Sequence, residues 1–117
     1  MGELIFSKLL QEKKLLYKEE YKIEECKDKK PLPFDFAIFN DNNELLCLVE
    51  LNGKQHYEPS FTSNDLEAQS LLEYIQYHDT IKQNYCKEHS IPLLVIPYYE
   101  LNQMKEIFNN FIGEILK

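Results

Sequence analysis

With 117 residues, the chain has room for one domain, 1–117, with one modest core. Its composition, 44% hydrophobic and 28% charged with only three glycines and five prolines, fits a soluble globular protein and excludes collagen-like or low-complexity architecture. Thirteen basic residues, all lysine, against 20 acidic ones leave a net charge of −7, which disfavours sequence-specific DNA reading because no arginine can make the bidentate contact to guanine.

In chain order, Ile5, Leu9, Leu10 and Leu16 recur at helical spacing among lysines and predict an amphipathic helix over 2–16. From Tyr17 to Cys26 the period changes to two, with Tyr17, Glu19, Tyr21 and Ile23 on one parity: a rather polar strand. Lys27 to Pro33 reads as a loop by charge and proline. Phe34–Phe39 is a strand, Asn40-Asp41-Asn42-Asn43 has the residues of a hairpin turn, and Glu44–Leu51 is a second strand. That strand is so continuously apolar that it predicts burial on both faces and a central place in a sheet. Asn52-Gly53 ends it, with Gly53 available for an unusual backbone conformation.

After a polar loop to Asn64, a long helix is predicted from Asp65, its N-cap or first-turn residue, to about His89. Ser90-Ile91-Pro92 breaks it. Leu93–Ile96 is a short buried strand stopped by Pro97, and Leu101, Met104, Ile107, Phe108, Phe111, Ile112 and Ile115 form a last helical stripe. The order is helix, three strands, helix, strand, helix: an α/β domain with a mixed central sheet.

No apolar run approaches the roughly 18 residues that span a bilayer, so no membrane partner is expected. The start Met1-Gly2-Glu3 carries an early acid and no basic region, unlike a signal peptide. Cys26, Cys47 and Cys86 are odd in number and include no CxxC pair, which disfavours a disulfide framework or a cysteine zinc site. Buried thiols in a reducing compartment, hence a cytoplasmic protein, are the expectation. The acidic balance still permits an enzyme acting on nucleic acid, because a carboxylate metal site is itself negative and the ion supplies the positive charge.

Two acids interrupt apolar strands: Asp35 between Phe34 and Phe36, and Glu50 between Val49 and Leu51. The hairpin brings them onto neighbouring strands. An unpaired carboxylate beside a buried sheet is costly, so such acids are paired, protonated or metal-bound. Each also reads more blandly as a strand-end acid facing solvent. Two carboxylates suit Mg²⁺, which takes one or two of them with waters and substrate phosphates. Directly after Glu50 come Asn52, Gly53, Lys54, Gln55 and His56, a polar cluster at the end of a buried strand.

Leu32-Pro33-Phe34-Asp35-Phe36, followed by Glu50-Leu51-Asn52-Gly53-Lys54-Gln55-His56-Tyr57, resembles the signature of small PD-(D/E)XK nucleases of phage and mobile-element type, relatives of Vsr-like and restriction-endonuclease-like proteins. Asp79, Lys82, Tyr85, Cys86, Ile91, Leu93, Leu94, Ile96, Pro97 and Tyr98 fall in the register of the family's later segment, and Glu3 matches its first-helix glutamate. The resemblance covers essentially the whole chain. It implies a restriction-endonuclease-like αβββαβ core with a C-terminal helix added, and metal-dependent phosphodiester hydrolysis.

On that resemblance, Asp35, Glu50 and the Leu51 carbonyl would bind Mg²⁺ or Mn²⁺, and Glu3 would hold or orient a second ion or its water. Gln55 and His56 occupy a conserved polar pair of the family, with His56 assisting proton transfer or holding phosphate. Two positions depart from the pattern. Asn52 stands where these relatives carry Asp and the orthodox motif carries Lys, and Val95 stands where they carry Arg. Lys54 or Lys82 would then fill the lysine's role. Asp79 and Lys82 share a helical stripe with Ala68, Leu72, Ile75 and Cys86, which reads either as charge directed at the sheet or as a structural salt bridge.

Two functions follow from the resemblance. One is a metal-dependent nuclease contacting nucleic acid, DNA favoured over RNA, mainly through the backbone. The other is a catalytically weakened nuclease fold that binds or regulates a protein partner, its acidic surface mimicking nucleic acid.

Overall fold

The computed structural model describes residues 2–59 and 65–117; the end of the predicted polar loop, 60–64, lies outside the described residues. Helix α1 (Gly2–Glu12) is followed by strands β1 (Leu16–Lys27), β2 (Pro31–Phe39) and β3 (Leu45–Asn52), helix α2 (Asp65–Glu88), strand β4 (Leu93–Pro97) and helix α3 (Met104–Ile115). Short 3-10 turns precede α2 (Lys54–His56) and α3 (Tyr98–Gln103). The four strands form one mixed sheet in the order β1-β2-β3-β4, antiparallel except for the parallel β3–β4 pair. The expected α/β class, mixed sheet and C-terminal helix are all present, and β3 is central as its apolar run predicted.

The sheet is covered on both faces. Phe6, Leu9 and Leu10 of α1 join Met104, Phe108 and Ile112 of α3 against Phe36, Ile38, Cys47, Val49 and Ile96. Phe6 is the hinge of this packing, with ring centroids 4.8 Å from Phe36 and 5.0 Å from Phe108, inside the range of favourable aromatic pairs. The opposite face packs Cys86 of α2 against Cys26, Phe34, Ala37, Phe39 and Leu48. All three cysteines are free and buried. Among the described residues, no helix is long and apolar enough to cross a membrane.

Three boundaries differ from the sequence reading. The first helix stops at Glu12, because Lys14 turns into the left-handed region (φ 58°) and releases Leu16 to open β1. The expected loop over 27–33 shrinks to 28–30, since Pro31 and Pro33 pair with Lys27 and Lys22. Proline is tolerated there because β2 meets β3 only from Phe36 onward, so its first half is locally a sheet edge. Leu101 lies in the 3-10 turn rather than in the last helix.

The third strand-level difference matters for function. Phe34 and Phe36, two residues apart, lie on opposite faces of the sheet, as do Tyr21 and Tyr17 on β1. Side chains two apart on a regular strand share a face. Both strands therefore switch faces at one level, where Glu20 adopts φ 51° between the pairs Glu19–Phe36 and Tyr21–Phe34. Asp35 sits at the switch.

Candidate functional site

The ladder between β2 and β3 runs from Phe39–Leu45 to Phe36–Val49 and goes no further. Where it ends, side chains take over. Glu50 Oε1 accepts the Asp35 backbone N–H at 3.0 Å, and Asp35 Oδ2 accepts the Leu51 backbone N–H at 2.7 Å. Each acid thus binds the main chain of the other's strand, which fixes both carboxylates side by side at the fork. The expectation that they lie on adjacent strands holds.

Lys82 reaches down from α2 and donates to Glu50 Oε2 at 3.0 Å, in a pair with side chains only 12% and 6% exposed. Burial pushes the Glu50 carboxyl up to about 7, against the lowering effect of Lys82, with the Asp35 charge raising it further. Burial also raises Asp35, opposed by its Leu51 hydrogen bond and by Lys82, while Glu3 and Glu20 add to the rise. Desolvation outweighs pairing at both acids, so the site carries more negative charge than it can comfortably hold.

Asp79 and Lys82 both turn inward but do not form a bridge to each other. Asp79 Oδ2 lies 2.8 Å from His56 Nδ1, which turns Nε2 away from this carboxylate. Gln76 Nε2 donates to the His56 carbonyl at 3.2 Å, so α2 holds the 3-10 turn at two points. Asp79 and Gln76 complete the support of His56. The Asp79–Lys82 spacing signalled the first, and no motif signalled the second.

The other expected residues divide. Glu3, in the exposed first turn of α1, lines a cavity of about 210 Å³ with Leu51, Asn52, Gly53, Gln55 and Tyr98. Lys54 and Gln55 are exposed on the 3-10 turn, and the amine that meets Glu50 is that of Lys82. Gly53 has an ordinary extended backbone (φ −72°, ψ 177°), not an unusual one. A Cβ there would come within 2.6 Å of Gln55 Oε1, the far end of an exposed side chain that can swing away. Val95, opposite Glu50 in the β3–β4 register, lines a narrow cleft with Glu50, Asp79 and Lys82.

Asn52 is buried to 5% exposure, and its Oδ1 has no hydrogen-bond partner among the described residues. Its side chain also meets the Tyr57 hydroxyl. Tyr57, Tyr98 and Tyr99 form a ring cluster beside it, with centroids 5.3 to 6.0 Å apart, and the Tyr98 hydroxyl donates to Glu58 Oε2 at 2.6 Å.

Among the described residues, no group of three or more His, Cys, Asp or Glu side chains is placed to hold an ion by itself. The donor set is two carboxylates with an amide oxygen, unpartnered among the described residues, two residues on. That set fits Mg²⁺ or Mn²⁺, whose remaining positions go to water and substrate phosphate. No family model matches this chain, and no curated protein or solved structure matches it.

Proposed function

We propose that the protein is a divalent-metal-dependent nuclease with a restriction-endonuclease-like fold, hydrolysing phosphodiester bonds in nucleic acid. One observation carries this reading: two crowded, desolvated carboxylates are locked together at a strand fork beside a lysine delivered from the covering helix. Burial raises Glu50 to about 7 despite its lysine, and acids perturbed in this way cluster at functional sites.

In this reading Asp35, Glu50 and the Leu51 carbonyl hold Mg²⁺ or Mn²⁺. The bound ion supplies a lowered pKa for its water and neutralises charge on the phosphate. Lys82 orients Glu50 before the substrate arrives and offers a proton donor and a positive charge at the phosphate. His56, with Nδ1 held by Asp79, presents Nε2 to take a proton, after which Nε2–H can donate to a phosphate oxygen. Glu3 borders the adjoining cavity, where it would orient a water or second ion.

The deciding experiment is a Mn²⁺-supplemented cleavage assay on single- and double-stranded DNA and RNA. Cleavage abolished by Asp35→Ala is expected; equal cutting by Asp35→Ala removes the site assignment.

A second reading rests on the neutral amide of Asn52 in a place suited to an acid: a weakened nuclease fold that binds a basic protein partner. A stable complex with a nucleic-acid-binding protein, together with no cleavage under any condition, supports it.

A further inference from the structure

A second concave surface lies along α2, outside the carboxylate site. A cavity of about 280 Å³ is lined by Lys29 and Lys30 of the β1–β2 loop, Leu32 of β2, and Tyr74 and His78 of α2. The one acid in its lining, Asp28, is hydrogen-bonded to His78 Nε2 at 3.1 Å, so the hollow carries two lysines against one already engaged carboxylate. Tyr74 is 53% exposed and packs its ring on His78 with centroids 4.2 Å apart. In a chain of net charge −7 this is a place where lysines and aromatic rings share one hollow.

Its position relative to the carboxylates is set by the helix. Tyr74, His78 and Lys82 are spaced i, i+4, i+8, and therefore form one stripe about 12 Å long. His78 meets the β1–β2 loop and Lys82 meets Glu50, while Tyr74 at the other end of the stripe stays exposed. A polymer with its scissile phosphate at Glu50 and Lys82 reaches the hollow one or two nucleotides away.

We infer that this hollow is a subsite for a flanking nucleotide of an unpaired nucleic-acid strand: the base stacks on Tyr74 and its phosphate meets Lys29 and Lys30. The inference rests on the nuclease reading for the strand's path, not for the chemistry of the hollow. Base–aromatic stacking needs a free base face, which a duplex does not offer, and it tolerates any sequence, as a chain without arginine requires.

The test is fluorescence anisotropy with a labelled single-stranded oligothymidylate and a labelled duplex of equal length, in EDTA and low salt. Wild type should bind the single strand more tightly than the duplex. Tyr74→Ala should weaken single-strand binding at least about fivefold. Lys29→Ala with Lys30→Ala should lower the slope of log affinity against log salt by about 0.7, the value for one phosphate contact on a single strand. Leu116→Ala, at an exposed position near the C-terminus, should leave both unchanged. If Tyr74→Ala loses secondary structure, the lysine variant decides alone. Failure of the single strand to bind, or binding unchanged in the variants, overturns the inference. Cleavage lost in Asp35→Ala, with binding unchanged in Tyr74→Ala, overturns the subsite and keeps the nuclease. Weakened binding in Tyr74→Ala, with no wild-type cleavage, keeps the subsite and overturns the nuclease.

Discussion

Glu50 accepts a hydrogen bond from Lys82 at 3.0 Å and still titrates near 7, because its burial raises the carboxyl more than the lysine lowers it. The balance between these two residues sets what the site does without metal and what changes when a cation arrives.

The first consequence is a pH dependence of stability. Glu50 is raised from an ordinary 4.5 to about 7 on folding. The native state therefore holds its proton over a range in which the unfolded chain releases it, and the stabilisation is complete below about 4.5 and lost as pH rises through 7. A shift of that size corresponds to on the order of 3 kcal/mol. Urea unfolding should show stability falling from pH 5 to pH 8 in EDTA, and Glu50→Gln should flatten that decline and be the more stable protein at pH 8. A wild-type stability that rises across this range would show that Glu50 is ionised throughout.

Lys82 supplies the second. Removing it leaves Glu50 buried with Asp35 as its charged neighbour, so Lys82→Met should raise the Glu50 titration above 7 rather than release it. Mn²⁺-dependent cleavage should fall roughly 10² to 10³-fold, the scale typical of losing one charged stabiliser of a transition state. The pH at half-maximal rate should move upward in the same variant. A rate loss with an unmoved pH profile would place Lys82 outside the site chemistry.

Much of this arrangement was legible in the sequence, and the rest was hidden for identifiable reasons. The Phe34–Leu51 hairpin, α2 and α3 follow from apolar periodicity, because each buries a continuous face. The inward turn of Lys82 was visible in its stripe with Leu72 and Cys86. The face switch was not. β1 is charged and largely exposed on both sides, so a change of parity at Glu20 leaves no trace in the hydrophobic pattern. Pro31 and Pro33 signalled a loop because the sequence does not say that β2 lacks its second neighbour there. The division of Asp79 to His56 and Lys82 to Glu50 needed the packed helix, since spacing alone equally allowed their mutual bridge.

Glu20 gives a third prediction. An L-residue at φ 51° costs roughly 1–2 kcal/mol, of which glycine recovers the steric part and returns some in chain entropy. Glu20→Gly should therefore stabilise the protein by about 0.5–1 kcal/mol in urea, with a further small gain from relieving Asp35 of a like charge. A destabilised Glu20→Gly would mean that the side chain makes a contact worth more than the strain.

The last prediction concerns Asn52, whose buried Oδ1 stands unpartnered two residues beyond Glu50. Asn52→Asp replaces a neutral acceptor with a charge in a cleft that already holds Glu50 and Asp79. Without metal, that charge has lost its water and gained two like neighbours, so the variant should unfold at lower temperature than wild type at pH 8. With Mn²⁺ the sign reverses: a third carboxylate strengthens the ion's attraction, and a ligand that binds only the folded state stabilises by mass action. The thermal shift on adding Mn²⁺ should be larger in Asn52→Asp than in wild type, and cleavage should be retained or increased. Asn52→Leu separates charge from burial, since it removes the orphaned oxygen without adding a negative group; it should be at least as stable as wild type and keep a Mn²⁺ shift no larger than that of wild type, because Asp35, Glu50 and the Leu51 carbonyl remain. If wild type is inert and Asn52→Asp cuts, the natural chain is a disarmed nuclease. If the Mn²⁺ shift is equal in all three proteins, residue 52 takes no part in holding the ion; if none of the three shifts, the two-carboxylate site loses its claim to a metal.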